Sequence, residues 1–184
     1  MKIKKNDILT IDKYIYEALY NNKTGYYMKK NPFGKKGDFI TAPNISILFS
    51  EMIAIWIISF WQNLKSPKEF NLIELGSGNG EMIDQIIKTF ENFPLFEKCC
   101  KINILEKSPY LKKIQKNKLK NKNIKWLSNL DQVSNLPSIF IANEFFDALP
   151  FKQFIKKNGK WYERNIKFYK LNKPEFLNVL CDIN

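Results

Sequence analysis

Phe70-Asn71-Leu72-Ile73-Glu74-Leu75-Gly76-Ser77-Gly78-Asn79-Gly80 is an apolar run closed by three glycines at alternate positions, and Glu81 to Phe90 continues at once in a helix-competent pattern. The order predicts a strand, a tight turn and a helix N-terminus. Glycine there lets the backbone turn sharply and approach a bound molecule, because no Cβ intervenes. The first amides of the helix are left to face that molecule. A dinucleotide fingerprint would place its third glycine at position 81, where this chain has Glu81. The alternate spacing therefore argues against a dinucleotide. Ile102-Asn103-Ile104-Leu105-Glu106 reads as a second strand ending in an acid, and a carboxylate at that tip suits the two hydroxyls of a ribose. Together the two segments describe a ligand with a ribose but no pyrophosphate.

Composition narrows the class. The 184 residues make one domain, or one domain with an appendage, and 45% hydrophobic with 15% aromatic content excludes a disordered chain. A net charge of +12 invites a nucleic-acid reading, but Arg164 is the only arginine while Lys, Asn and Ile abound. Arginine makes the bidentate contacts to phosphate and guanine, so specific nucleic-acid readout is not expected. Cys99, Cys100 and Cys181 give neither a disulfide framework nor metal spacing, and no histidine is available to complete a zinc site. No metal is expected. A reducing compartment follows, bacterial-type cytoplasm in the simplest case, because the first residues carry no secretory apolar core and lack the arginines of a transit peptide.

Along the chain, Thr10 to Tyr20 reads as a first helix. Asn31 to Pro43 is a long loop with two glycines and two prolines, and loops of this kind are functional or disordered; its aromatics argue for order. Asn44 to Leu64 carries a strong helical pattern, with Ile45, Leu48, Phe49, Met52, Ile53, Trp56, Ile57, Phe60, Trp61 and Leu64 as its apolar face and Ser46, Ser50, Glu51 and Ser59 among the rest. A membrane span competes with a core helix here, but Glu51 and the serines interrupt the run, and a core helix covering the sheet is expected. Strand Phe70 to Leu75, helix Glu81 to Phe90, strand Lys101 to Glu106, helix Pro109 to Leu119 and strands Ile124 to Leu127 and Ser138 to Asn143 then alternate, which implies a parallel sheet. Lysines between Lys107 and Lys125 read as a solvated face. Phe151 to Ile155 and Lys160 to Phe168 flank Asn158-Gly159, a strong hairpin signal. The tail from Pro174 carries no clear signal.

Three segments resemble one family when taken together. Gly37-Asp38-Phe39-Ile40-Thr41-Ala42-Pro43-Asn44, the Glu74 to Gly80 turn, and Ala142-Asn143-Glu144-Phe145-Phe146-Asp147-Ala148-Leu149-Pro150 are similar to motifs of the MidA-like S-adenosylmethionine (SAM) dependent methyltransferases, and Glu106-Lys107-Ser108-Pro109 fits as well. That family includes a mitochondrial assembly factor that methylates an arginine of a complex I subunit. The resemblance covers about residues 10 to 170 and implies an α/β fold with a class I, Rossmann-like sheet, SAM as cofactor and a protein arginine as acceptor. Asn44 stands where the family has glutamate, and Ser50 where it has glycine. Members are about twice this long, and the resemblance accounts for the first four strands plus a hairpin insertion, so the sheet is expected to be incomplete at the C-terminus. A truncated product, or one half of a split protein with a separate C-terminal half as partner, is the corresponding expectation. The division expected is residues 1–66 as a helical and loop extension packing on the sheet, and 67–184 as the partial SAM-binding core with a hairpin at 151–168.

On this resemblance the cofactor set is Gly37, Asp38, Thr41, Glu74, Gly76, Ser77, Gly78, Gly80, Glu106 and Asn143, and the catalytic pair is Glu144 and Asp147. Glu144 would grip a guanidinium bidentately and fix one nitrogen for attack. The competing reading of Glu144 and Asp147 is a helix cap and a loop carboxylate; that of Gly37, Asp38 and Thr41 is a structural turn. Three functions stay open: a protein arginine methyltransferase acting on a respiratory complex subunit, mitochondrial if the source is eukaryotic; a non-catalytic binding or assembly partner; and a small-molecule methyltransferase.

Overall fold

The computed structural model describes residues 7–170 and 173–181. The first elements are β1 (Ile8–Thr10), α1 (Ile11–Tyr20), α2 (Tyr26–Lys29), α3 (Ala42–Ile45) and α4 (Ile47–Asn63). Next come β2 (Phe70–Leu75), α5 (Glu81–Phe90), α6 (Pro94–Cys99), β3 (Cys100–Leu105), α7 (Pro109–Lys118), β4 (Ile124–Leu127) and β5 (Ser138–Ile141). β6 (Phe154–Lys157), β7 (Lys160–Lys170) and β8 (Lys173–Leu180) follow. Two compact units result: Met1–Lys29 with Phe146–Asn184, and Lys30–Phe145.

The Lys30–Phe145 unit is the expected parallel sheet, in the order β4-β3-β2-β5. β2 lies between β3 and β5, with Phe70↔Cys100 to Leu75↔Leu105 in register on one side and Asn71↔Ser138 to Glu74↔Ile141 on the other. Every residue of β2 is buried, as a strand in the middle of a parallel sheet should be. The chain steps outward from β2 to β3 to β4, then returns to the opposite side of β2 as β5. That reversal makes a topological switch point at the carboxyl ends of β2 and β5, where open α/β sheets bind ligands.

One apolar layer joins the sheet to α4, α5 and α6 and includes Ile57, Leu72, Ile83, Ile86, Phe90, Ile104 and Ile139. Phe96, on α6, meets the rings of Phe70, Phe90 and Trp61 at centroid distances of 5.2, 4.6 and 5.3 Å. The expected helix at Asn44 to Leu64 is interrupted at Ser46, which is extended between α3 and α4. Its buried face also differs from the one read in sequence. Ser50, Ala54, Ile57 and Ile58 are buried, whereas Leu48, Met52, Trp56 and Phe60 are exposed. The helix is apolar on nearly every side, so periodicity does not select a face; small Ser50 and Ala54 let a neighbouring layer approach closely.

The other unit is an antiparallel sheet. β7 pairs with β8 along one edge, and with β6 and then β1 along the other. Asn158 and Gly159 both have positive φ, 51° and 73°, the geometry a two-residue hairpin turn needs. Leu9, Ile11, Ile166 and Phe168 form this unit's small core, with Tyr14 and Ile15 packed against it. Tyr20 donates its hydroxyl to the Ala148 carbonyl at 2.9 Å. Among the described residues, no helix is long and apolar enough to cross a membrane.

Candidate functional site

Gly76, Gly78 and Gly80 carry φ angles of 70°, 53° and 77°, so the turn after β2 runs through left-handed backbone that side chains rarely adopt. Gly80 ends it as the residue before α5. A Cβ on Gly76 would stand 2.6 Å from the Phe145 ring, and one on Gly78 would stand 3.2 Å from the Phe33 ring. The two glycines thus admit close neighbours as well as a sharp bend.

A cavity of about 50 Å³ opens on this turn. Of the residues expected at the site, Thr41, Glu74, Gly76, Ser77, Gly78, Asn143 and Glu144 line it. The carboxyl ends of β2 and β5 therefore converge on one space at the switch point. Glu144 itself has φ 48°, an unfavourable conformation for a side-chain-bearing residue and a feature that clusters at functional sites. Gly37, Asp38, Gly80 and Glu106 are not on its wall. Gly37 donates its amide to the Gly34 carbonyl at 2.8 Å, inside a loop tied back by Phe39 N–H to Pro32 O at 2.8 Å and Gly34 N–H to Phe39 O at 2.9 Å. Asp38 is exposed and pairs with Lys30. Asp147 lies in the 3-10 turn Phe146–Ala148 of the other unit.

Two buried acids stand behind the turn. Glu74 is 2% exposed and accepts a hydrogen bond from the Ser77 hydroxyl. Burial pushes its carboxyl up to about 7; the Ser77 hydrogen bond opposes this and the Glu106 charge adds to it. Glu106 accepts from the Ser108 amide at 2.8 Å and from Gln115 Nε2 at 2.9 Å, and burial raises its pKa against those bonds. Ser108 also caps α7 by accepting from the Leu111 amide at 3.2 Å. On the loop side, the Thr41 hydroxyl donates to Asn44 Oδ1 at 3.1 Å. Asn44 thus supplies an acceptor where the resembled family has a glutamate.

Sequence reasoning assigned no role to Phe33, Phe145, Gln115 or Trp126. Phe145 sits inside the quoted Asn143 to Pro150 motif, so a signal was present for it. For Phe33 the only hint was an aromatic in a long ordered loop, and Gln115 lies within the lysine run read as solvated. Among the described residues, no group of His, Cys, Asp or Glu is arranged to hold a metal ion.

A Rossmann-like sheet with a glycine turn and buried acids at its switch point defines the class, and residues 52–182 match the family described as "Putative S-adenosyl-L-methionine-dependent methyltransferase". The chain belongs to this family, whose cofactor is SAM. The mitochondrial protein arginine methyltransferase NDUFAF7 is 35% identical in Xenopus laevis and 33% in Homo sapiens, each over 88% of this chain and 43% and 42% of the relative. The chain thus spans less than half the length of these curated relatives. A Burkholderia thailandensis protein whose crystal structure holds S-adenosyl-homocysteine has the same fold, with a TM-score of 0.80 at 22% identity over 96% of this chain and 47% of that one.

Proposed function

We propose that the chain binds SAM at the Gly76 to Gly80 turn and promotes methyl transfer to an arginine side chain of a protein, such as a respiratory complex subunit. The observation that carries the reading is the convergence of the glycine turn with Asn143 and Glu144 on one cavity at the switch point. The residues fit the cofactor. Gly76 and Gly78 line the cavity without a side chain of their own, and Glu74 on the same wall would face the cofactor ammonium. Bound SAM supplies an electrophilic methyl on a sulfonium. Glu144 would hold the guanidinium through paired hydrogen bonds, leaving one nitrogen free to attack, and would accept the proton that nitrogen gives up. Thr41 and the loop bearing Gly37 and Asp38 would exclude water.

Small-ligand sites usually enclose about 300–1,000 Å³, so seating the cofactor requires this cavity, with Phe33 on its wall, to widen. The small cavity also favours a second reading, in which the chain is a non-catalytic assembly partner, alone or with a separate C-terminal half. Free Cys99, Cys100 and Cys181 suit a reducing compartment, either cytoplasm or mitochondrial matrix.

Calorimetric titration with SAM separates the two. The unaltered chain should bind, and Gly78→Val should bind at least about tenfold more weakly, because a branched side chain is strained at φ 53° and meets Phe33. No heat from the unaltered chain would favour the second reading. If SAM binds, transfer of labelled methyl to arginine-containing peptides should fall about a hundredfold or more in Glu144→Gln, while SAM affinity stays within about threefold. Unchanged transfer would remove Glu144 from the reaction.

A further inference from the structure

Gln115 lies on lysine-rich α7, yet it is fully buried. Its Nε2 donates to Glu106 Oε2 and to the Gly78 carbonyl, both at 2.9 Å, and its Oε1 accepts from Trp126 Nε1 at 3.1 Å. An indole N–H can only donate, so Trp126 settles which way the amide faces: oxygen toward β4, nitrogen toward the turn. Both amide hydrogens are then committed. The other Glu106 oxygen accepts from the Ser108 amide. Both carboxylate oxygens are thus held in place, one by Ser108 N–H and one by Gln115 Nε2, and the Lys107 amide also bonds the carboxylate. The turn is also packed on this side chain, since a Cβ at Gly80 would lie 3.5 Å from Gln115 Cγ.

We propose that Gln115, oriented by Trp126, is a positioning residue for cofactor recognition: it ties the Glu106 carboxylate to the Gly78 carbonyl so that both ribose hydroxyls meet acceptors already set. This rests on reading Glu106 as the ribose-binding acid. Gln115 touches no cofactor atom in this scheme; it acts through Glu106 and the turn. Its loss should therefore fall on recognition of the hydroxyls rather than uniformly on affinity.

The test titrates the full 184-residue chain with S-adenosyl-homocysteine and with its analogue lacking both ribose hydroxyls. The unaltered chain should prefer the former by at least about tenfold, as hydrogen bonds to a charged acceptor imply. Gln115→Met keeps the volume and removes the hydrogen bonds; it should weaken the homocysteine adduct about tenfold and the analogue less than about twofold, so the preference collapses. Trp126→Phe keeps Gln115 but frees its amide to turn over, and should reduce the preference by about threefold. If Gln115→Met weakens both ligands alike, Gln115 is packing alone and the proposal fails. If Gln115→Met does not fold, the Trp126→Phe comparison decides, and an unchanged preference there overturns the proposal. A preference lost in Glu106→Gln but kept in Gln115→Met overturns the role of Gln115 alone. A preference kept in Glu106→Gln, or no binding by the unaltered chain, overturns the ribose assignment and this proposal with it.

Discussion

Glu74 shows how one residue couples the site to stability. Its folded-state pKa of about 7 lies above the ordinary 4.5, so the folded protein keeps a proton that the unfolded chain gives up. The contribution is then full below about pH 4.5, declines as pH rises toward 7 and is constant above, a span of roughly 3 kcal/mol. Glu74→Gln cannot ionise and should lack this decline. Thermal unfolding midpoints between about pH 5 and 8 should fall for the unaltered chain and stay flatter for the variant; equal slopes would acquit the carboxyl. A cofactor ammonium would favour the ionised form, so SAM affinity should rise as pH passes 7. The glycines and Glu74 could be read from sequence because strand, turn and helix follow one another directly. Phe33 could not, because its contact with Gly78 joins segments far apart in the chain, and the motif that holds Phe145 did not say that its ring would meet Gly76.

Among the elements, α4 shows the limit of periodicity. Its pattern identified a helix, but a helix apolar on nearly every side has no preferred face, and packing against α5 buried the side that carries Ser50, Ala54, Ile57 and Ile58. Ser50, expected among the polar positions, is fully buried, and its hydroxyl has no hydrogen-bond partner. A buried unpaired hydroxyl costs about 1–3 kcal/mol, so Ser50→Ala should raise stability by about 1 kcal/mol in denaturant titration. A loss of stability would mean that the hydroxyl is satisfied in solution. The β6–β7 hairpin was legible because Asn158-Gly159 specifies its own turn. β1 and β8 were not: each is defined by pairing with β7, and neither carries local alternation strong enough to declare itself. α6 was missed because Pro94–Cys99 is too short for a periodic signal.

Over the whole molecule, the net charge of +12 dominates the electrostatics. The ion pairs Lys101–Glu69 and Lys152–Glu163 keep about half of each lysine side chain exposed, at 49% and 51%, and such pairs contribute little. Excess lysine repulsion should therefore outweigh them. Raising ionic strength from about 0.02 to 0.3 M should raise the unfolding midpoint by a few degrees, since the screening length falls below typical lysine separations. A fall instead would mean that the ion pairs carry more than the repulsion costs.

The sequence by itself determined the parallel sheet, the left-handed glycine turn and the acids at the strand tips, because each follows from local pattern and backbone sterics. Tertiary structure decided the rest. The buried face of α4, the β1–β7 pairing and the Gln115 link between Glu106 and the turn are choices among locally equivalent options, settled by which distant surfaces fit together once the chain closes on itself.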